Sequence, residues 1–169
     1  MTELEKMEFV IELAKKAMDN GEFPIAAAIF HKDELISSAY TTENTDGRFL
    51  VHAEQKALLD ADEKRLPFDI RLQLELYTNL EPCLMCLGMA ISSFVGKIYY
   101  AVEAPDDGAV ELVRSEYERR KSTEPSLWNF PMTTGGLLRK ESIQLFRDYV
   151  EQNKESHGVE FVRAIAELK

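Results

Sequence analysis

Segments with helical periodicity alternate along this chain with short apolar strands, and this alternation restricts the fold more than any other feature. Apolar residues recur at helical spacing from Leu4 to Met18, which predicts a first helix over residues 3–19. Further helices are predicted over residues 52–61, 82–92, 110–120, 138–151 and 158–168, and strands over 24–30, 34–40, 72–78, 97–102 and 130–133. This order predicts a three-layer α/β/α sandwich, whose sheet is mixed because it begins with a hairpin.

Length and charge limit the classes of function. The 169 residues fit a single domain, 1–169, and the net charge of -10 argues against broad affinity for nucleic acid or anionic membranes. Two cysteines are too few for a disulfide scaffold, so a reducing compartment is expected. We expect no signal peptide, no membrane span and a cytoplasmic protein.

Both cysteines lie in one tetrapeptide, Cys83-Leu84-Met85-Cys86, directly after Pro82. Pro82 is expected in the first turn of a helix, where positions i and i+3 share one face. Two thiolates in a tetrahedral zinc shell lie about 3.8 Å apart, so both sulfurs can bind one ion. A thioredoxin-like redox pair and two unrelated buried cysteines are the alternatives.

His52-Ala53-Glu54 lies 31 residues before Cys83, at another expected helix start. His52 is the candidate third ligand, and Glu54 faces the same ion without binding it. Together with Pro-Cys-x-x-Cys, this matches the known signature of zinc nucleobase deaminases. Three protein ligands leave one position for water, as in a catalytic zinc site, whereas a structural zinc needs His31 or His157 as a fourth ligand.

Glu54 is the candidate proton carrier of such a site. Deamination of an amidine-type ring needs a proton on a ring nitrogen and another on the departing ammonia. A carboxyl group that takes the proton from the attacking water and passes it on meets both needs. General acid–base catalysis of this kind typically contributes about 10²–10⁴-fold.

The chain resembles the cytidine and deoxycytidylate deaminase superfamily, and most closely its branch of tRNA adenosine deaminases and guanine deaminases. The segments that carry the resemblance are 22–27, 52–54, 78–86 and 134–138. The resemblance implies a five-stranded mixed sheet, one zinc ion per chain held by His52, Cys83 and Cys86, Glu54 as proton shuttle, and a homodimer. It also implies substrate contacts at Asn44 and Ala53, although Asn44 is equally explained as a turn residue.

Several segments depart from the pattern of that branch. Residues 48–51 read Arg-Phe-Leu-Val where the branch has Asp-Pro-Thr-Ala, and the acidic stretch 102–108 replaces a basic one. A helical insertion is expected over about residues 111–128. Trp128 and Phe130 either cover the pocket and stack on a base or belong to the core.

Four functional hypotheses follow. The first is a zinc-dependent deaminase that releases ammonia from a nucleobase, nucleoside or related small heterocycle, with a purine-like ring favoured by the resemblance. The second is a tRNA-specific adenosine deaminase, for which the acidic composition makes tRNA the less favoured partner. The third is a non-catalytic, zinc-stabilised binding module, and the fourth is a redox dithiol.

Overall fold

The computed structural model describes residues 1–121, 129–156 and 158–169. Its strands are β1 (Ala26–His31), β2 (Glu34–Tyr40), β3 (Leu74–Leu80), β4 (Lys97–Val102) and β5 (Met132–Gly135). Its helices are α1 (Glu3–Asp19), α2 (Glu43–Asp46), α3 (Ala53–Glu63), α4 (Phe68–Arg71), α5 (Leu84–Ser92), α6 (Val110–Lys121), α7 (Arg139–Gln152) and α8 (Val159–Ala166).

The five strands form one mixed sheet in the order β2-β1-β3-β4-β5. Strand β1 is antiparallel to both β2 and β3, whereas β3, β4 and β5 run parallel. The predicted hairpin and the mixed five-stranded sheet are therefore confirmed. The parallel half directs the carboxyl ends of β3 and β4 to one edge, which is where binding sites of open α/β sheets form.

Helices cover both faces of this sheet. Alternate residues of β1 divide between two apolar clusters: Ala28 and Phe30 pack with α1, and Ala27 and Ile29 pack with α3. Burial on both faces explains why β1 is an unbroken apolar run. Helices α1 and α7 contact each other on one side, and α3 and α5 contact each other on the other. The predicted three-layer sandwich is confirmed.

Some predicted boundaries are wrong, for local reasons. Helix α5 begins at Leu84 with Cys83 as its N-cap, so Pro82 precedes the helix instead of lying in its first turn. Strand β3 begins two residues later than predicted, because Leu72 still donates its backbone N–H to Phe68 at the end of α4. The short helices α2 and α4 were not predicted, since one turn leaves no apolar period.

Helix α6 confirms the helix that was predicted over residues 110–120, while the insertion over about residues 111–128 stays a prediction. Trp128 and His157 lie outside the described residues. Phe130 packs on Tyr117 with ring centroids 5.9 Å apart and does not line the pocket that holds His52, which agrees with the core alternative. Within the described ranges, no helix is both long and apolar enough to span a bilayer.

Candidate active site

The three predicted metal ligands come together at the start of two helices. His52 is the N-cap of α3 and Cys83 is the N-cap of α5, while Cys86 lies in the first turn of α5. The His52 Nδ1 atom is 3.7 Å from the Cys83 sulfur and 3.5 Å from the Cys86 sulfur. Nitrogen and sulfur ligands of a tetrahedral zinc ion lie about 3.6 Å apart, so this donor set fits zinc.

A backbone contact fixes the orientation of the His52 ring. Its Nε2 atom is 3.2 Å from the carbonyl oxygen of Phe49, and the Glu43 carboxylate lies 3.8 Å from the same nitrogen. With an ion bound, an Nε2–H that donates to Phe49 would leave Nδ1 unprotonated and directed at the ion between the two sulfurs. Histidines that bind metals are typically oriented by such a bond from the other ring nitrogen.

The electrostatics of the cluster favour a metal. In the metal-free chain, the hydrogen bond from Cys86 and the one from His52 lower the pKa of Cys83 to about 4. The pKa of Cys86 is raised by its hydrogen bond to Cys83 and by burial, and the hydrogen bond to Cys83 raises that of His52 to about 9. A thiolate at a helix N-terminus, beside a second thiol, is a ready ligand for a cation.

Glu54 lies beside these ligands and is not one of the three donors. Its side chain is only 4% exposed, and the Thr78 hydroxyl donates to its Oε1 over 3.1 Å. Burial raises the pKa of this carboxyl group. A buried carboxyl with a raised pKa, next to a site for an activated water, suits the transfer of protons near neutral pH.

A cavity of about 500 Å³ opens over this cluster. Ala53 and Glu54 line its buried part, and Asn44 lines its exposed part. The Asn44 side-chain amide donates to the backbone carbonyl of Gly21 over 3.0 Å, so this side chain also stabilises the turn. Five of the six predicted site residues thus line one cavity, and the sixth, Cys86, is buried beside it in contact with His52, while contacts of Asn44 and Ala53 with a substrate stay predictions.

The family model for the cytidine and deoxycytidylate deaminase zinc-binding region matches residues 1–102. The chain belongs to this family. The match includes His52, Cys83 and Cys86, which are positioned to hold a metal ion, so the prediction of zinc as the cofactor is confirmed.

Curated relatives of this deaminase domain differ in length. A tRNA-specific adenosine deaminase of Bacillus subtilis is 35% identical over 60% of this chain and 63% of its own length. One from Aquifex aeolicus is 26% identical over 85% of this chain and 95% of its own. A tRNA(Ile)-lysidine synthase of Deinococcus radiodurans is 29% identical over 82% of this chain. The chain spans only 23% of that synthase and less than two thirds of the Bacillus protein.

Solved structures of two kinds of deaminase are similar to this domain. A tRNA:A34 deaminase has a TM-score of 0.67 at 26% identity, with 83% of this chain and 98% of that chain covered. A guanine deaminase from Nitrosomonas europaea has a TM-score of 0.68 at 26% identity, with 88% and 84% covered. These similarities support the deaminase fold equally for a nucleic-acid substrate and for a free base.

Two glutamates that sequence reasoning missed, one buried and one half-buried, hold the walls of the pocket. Glu22 accepts hydrogen bonds from the backbone N–H groups of Asn44 and Thr45, and so fixes α2. Glu81 accepts from the N–H groups of Ala104 and Val110, and so fixes the loop that follows β4. Each lies within a segment that carries the family resemblance, but only the fold shows what it binds.

The C-terminal helix supplies another wall of the deaminase pocket. Gly158 and Phe161 line the cavity together with Phe23, whose ring centroid is 6.4 Å from that of Phe161. Arg147 of α7 holds this helix in place by donating to the carbonyl oxygen of Ala166 over 2.8 Å. Sequence periodicity predicted the helix but gave no sign that it faces the pocket.

The structure also tests whether a fourth protein ligand completes the metal site. Among the described residues, His52, Cys83 and Cys86 are the only group placed to hold a metal ion. His31 is the last residue of β1 and pairs with Leu74 in the sheet, away from this group. Three ligands with a cavity beside them match a site that keeps one position for water.

Proposed function

We propose that this protein is a zinc-dependent hydrolytic deaminase of a nucleobase, nucleoside or related small heterocycle, with a purine-like ring favoured. The observation that carries the proposal is the convergence of the zinc donor set and Glu54 on one cavity of about 500 Å³. Cavities of this size hold small ligands, and the aromatic rings of Phe23 and Phe161 offer flat apolar surface to a base.

The chemistry divides between the metal and Glu54. Zinc held by His52, Cys83 and Cys86 supplies a water activated for attack at neutral pH. Glu54 takes the proton of that water on its carboxylate and delivers it to the ring nitrogen. It then takes the second proton from the hydroxyl group that the attack leaves on the ring carbon and delivers it to the amino group, which leaves as ammonia as the C–N bond breaks and the carbonyl forms. Thr78 holds one oxygen of Glu54 during these transfers.

Two observations support a small substrate over RNA. The net charge of -10 opposes association with a polyanion. The C-terminal helix and Phe161 form a wall of the same cavity, which limits the room around a flipped-out base. A purine-like ring is favoured by the similarity to the guanine deaminase and to a protein solved with 2,6-diaminopurine, which has a TM-score of 0.69.

A tRNA-specific adenosine deaminase is the second candidate. It is favoured by the curated relatives, one of which aligns over 95% of its own length. Enzymes that act on a base in nucleic acid also take a single base into a small pocket. A homodimer is part of either proposal, and light scattering on the purified chain tests it.

An ammonia-release panel decides between these candidates. Zinc-loaded protein is assayed with purine, pyrimidine and pterin bases, with nucleosides, and with an anticodon stem-loop RNA. We expect turnover of at least one free base or nucleoside. Turnover of the RNA alone would reject the small-molecule proposal in favour of the second candidate. No turnover of any compound by the zinc-loaded protein would favour a non-catalytic module.

A further inference from the structure

Carboxyl groups outnumber cations around the deaminase pocket. Four carboxyl side chains line the described part of the cavity, whereas Arg48 is the one described cationic side chain that lines it. An ion bound by two thiolates adds no net positive charge, because the thiolates cancel its two charges. The pocket therefore has a negative field, and a low-dielectric cleft strengthens such a field.

Two of the four carboxyl groups already have assigned roles. Glu54 is buried beside the metal ligands, and Glu81 binds backbone N–H groups of Ala104 and Val110. Glu43 and Asp107 remain, and we call these two residues the carboxylate rim. Glu43 accepts a hydrogen bond from the Thr41 hydroxyl through Oε2, and its Oε1 lies near His52.

The loop after β4 fixes Asp107 at the entrance. Its backbone is attached to the start of α5 by a bridge between Cys83 and Gly108 and by a hydrogen bond from Ala109 to Pro82 over 3.1 Å. Asp107, one residue before that bridge, is exposed and lines the cavity. This is the acidic stretch that stands where a basic one was expected from the resemblance.

The nearby lysine does not offset the carboxylate rim. Lys56 donates to the Thr42 hydroxyl over 3.2 Å and lies 5.7 Å from the centre of the Tyr40 ring. Its ammonium group is thus held by Thr42 and Tyr40, and Lys56 does not line the pocket. Arg48 is exposed, as Asp107 is, so solvent screens both of these charges, and the carboxyl groups still outnumber the one described cation.

We propose that the carboxylate rim makes the pocket selective for unphosphorylated substrates, which are free bases or nucleosides that are neutral or cationic. The proposal rests on the proposed function, because it names the substrate class of the same site. Glu43 and Asp107 repel a phosphate group at the entrance, and their oxygens accept hydrogen bonds from amino groups and ring N–H groups. Phosphate recognition needs the opposite arrangement, with arginines or backbone N–H groups directed at the oxygens.

Matched substrate pairs test this selectivity. The best nucleoside of the panel and its 5′-monophosphate are compared at low salt, and we expect kcat/KM to be about 25-fold lower for the monophosphate, because each of the two rim carboxylates contributes roughly 5-fold. Asp107→Asn should reduce the ratio of the nucleoside kcat/KM to the monophosphate kcat/KM by roughly 5-fold. The substitution removes one unit charge at about 8 Å from the substrate phosphate. Asp60→Asn, an equal charge change on the exposed side of α3, should leave the ratio unchanged. Equal or better turnover of the monophosphate would overturn the proposal, as would equal effects of both variants.

A second measurement needs no substrate. The two cysteines of the chain both lie at this site, so their alkylation in the zinc-loaded protein reports the local field. Iodoacetamide and iodoacetate differ mainly in charge, and we expect the ratio of their rates to exceed that in the urea-unfolded chain. Asp107→Asn and Glu43→Gln should each lower the ratio by roughly 2- to 5-fold, and Asp60→Asn should not.

The two measurements separate the failure of the proposed function from the failure of this inference. If no compound is deaminated but the alkylation ratio responds to Asp107→Asn, the proposed function fails and the carboxylate rim stands. If a free base is deaminated but neither the kcat/KM ratio nor the alkylation ratio changes in Asp107→Asn, the proposed function stands and the carboxylate rim is rejected. Turnover of RNA alone rejects both.

Discussion

Replacement of Glu54 by glutamine separates proton transfer from metal binding. The glutamine carbonyl oxygen keeps the shape of the side chain and still accepts the hydrogen bond from Thr78. An amide cannot carry a proton between water, ring nitrogen and leaving group, so we expect kcat/KM to fall by about 10²–10⁴. This corresponds to about 3–5 kcal/mol of lost transition-state stabilisation.

The same substitution should leave the metal and the fold intact. Glu54 is not one of the three donor atoms, so we expect one zinc per chain. Because burial raises the pKa of Glu54, ionisation of this group in the fold opposes stability above the ordinary pKa of glutamate. Removal of the charge relieves that cost at neutral pH, so Tm should be unchanged or higher.

The assay combines ammonia release, zinc analysis and thermal unfolding on the same preparation. Glu63→Gln is the matched control, because Glu63 ends the same helix and is exposed. We expect this control to match the parent in all three measurements. Parental turnover in Glu54→Gln would refute the role of Glu54 as proton shuttle, and loss of zinc would show that Glu54 contributes to the metal site.

Three further predictions follow from the same geometry. Cys83→Ala removes a ligand, so zinc content and Tm should both fall, and stoichiometric zinc in this variant would reject the ligand assignment. Thr78→Val should keep zinc but lower kcat/KM by roughly 10-fold, because the hydrogen bond that positions Glu54 is lost, while Thr78→Ser should restore activity. Gly158→Ala should lower Tm by about 2–8 °C and raise KM, because φ is +77° and a Cβ would meet the Phe23 ring at 2.7 Å. An unchanged Tm would show that the C-terminal wall adjusts freely.

Much of the fold was predictable because burial of one face makes apolar residues recur along the sequence at the period of a helix or strand. Helix α1 and strands β2 and β4 have the predicted bounds, since their apolar residues repeat over at least six positions. Helices α2 and α4 have four residues each and no buried side chain, so they show no such period. The start of α5 was misplaced because Pro82 resembles a residue of the first turn, whereas the backbone of Cys83 is extended.

The ligands were predictable from residue type and spacing, but their supports were not. His52, Cys83 and Cys86 follow a known order along the chain, and the structure brings them together. Glu22 and Glu81 act through backbone N–H groups more than 20 residues away in sequence. Such bonds depend on the fold and have no local signal, because any residue with an N–H group can be the partner.

The placement of the ligands also links the metal to the stability of the two helices. Both His52 and Cys83 occupy N-cap positions, and neither makes the side-chain hydrogen bond that a serine or aspartate would make there. Helix α1, which carries none of the donors, has a full capping box built on Thr2 and Glu5. A missing cap typically costs about 1 kcal/mol per helix. At this site two predicted metal ligands occupy the N-cap positions of α3 and α5. We therefore expect the free energy of metal binding to offset the cost of ordering the first turns of these helices. Because Glu54 lies in that first turn of α3, we expect metal binding to stabilise the turn that carries the proton carrier.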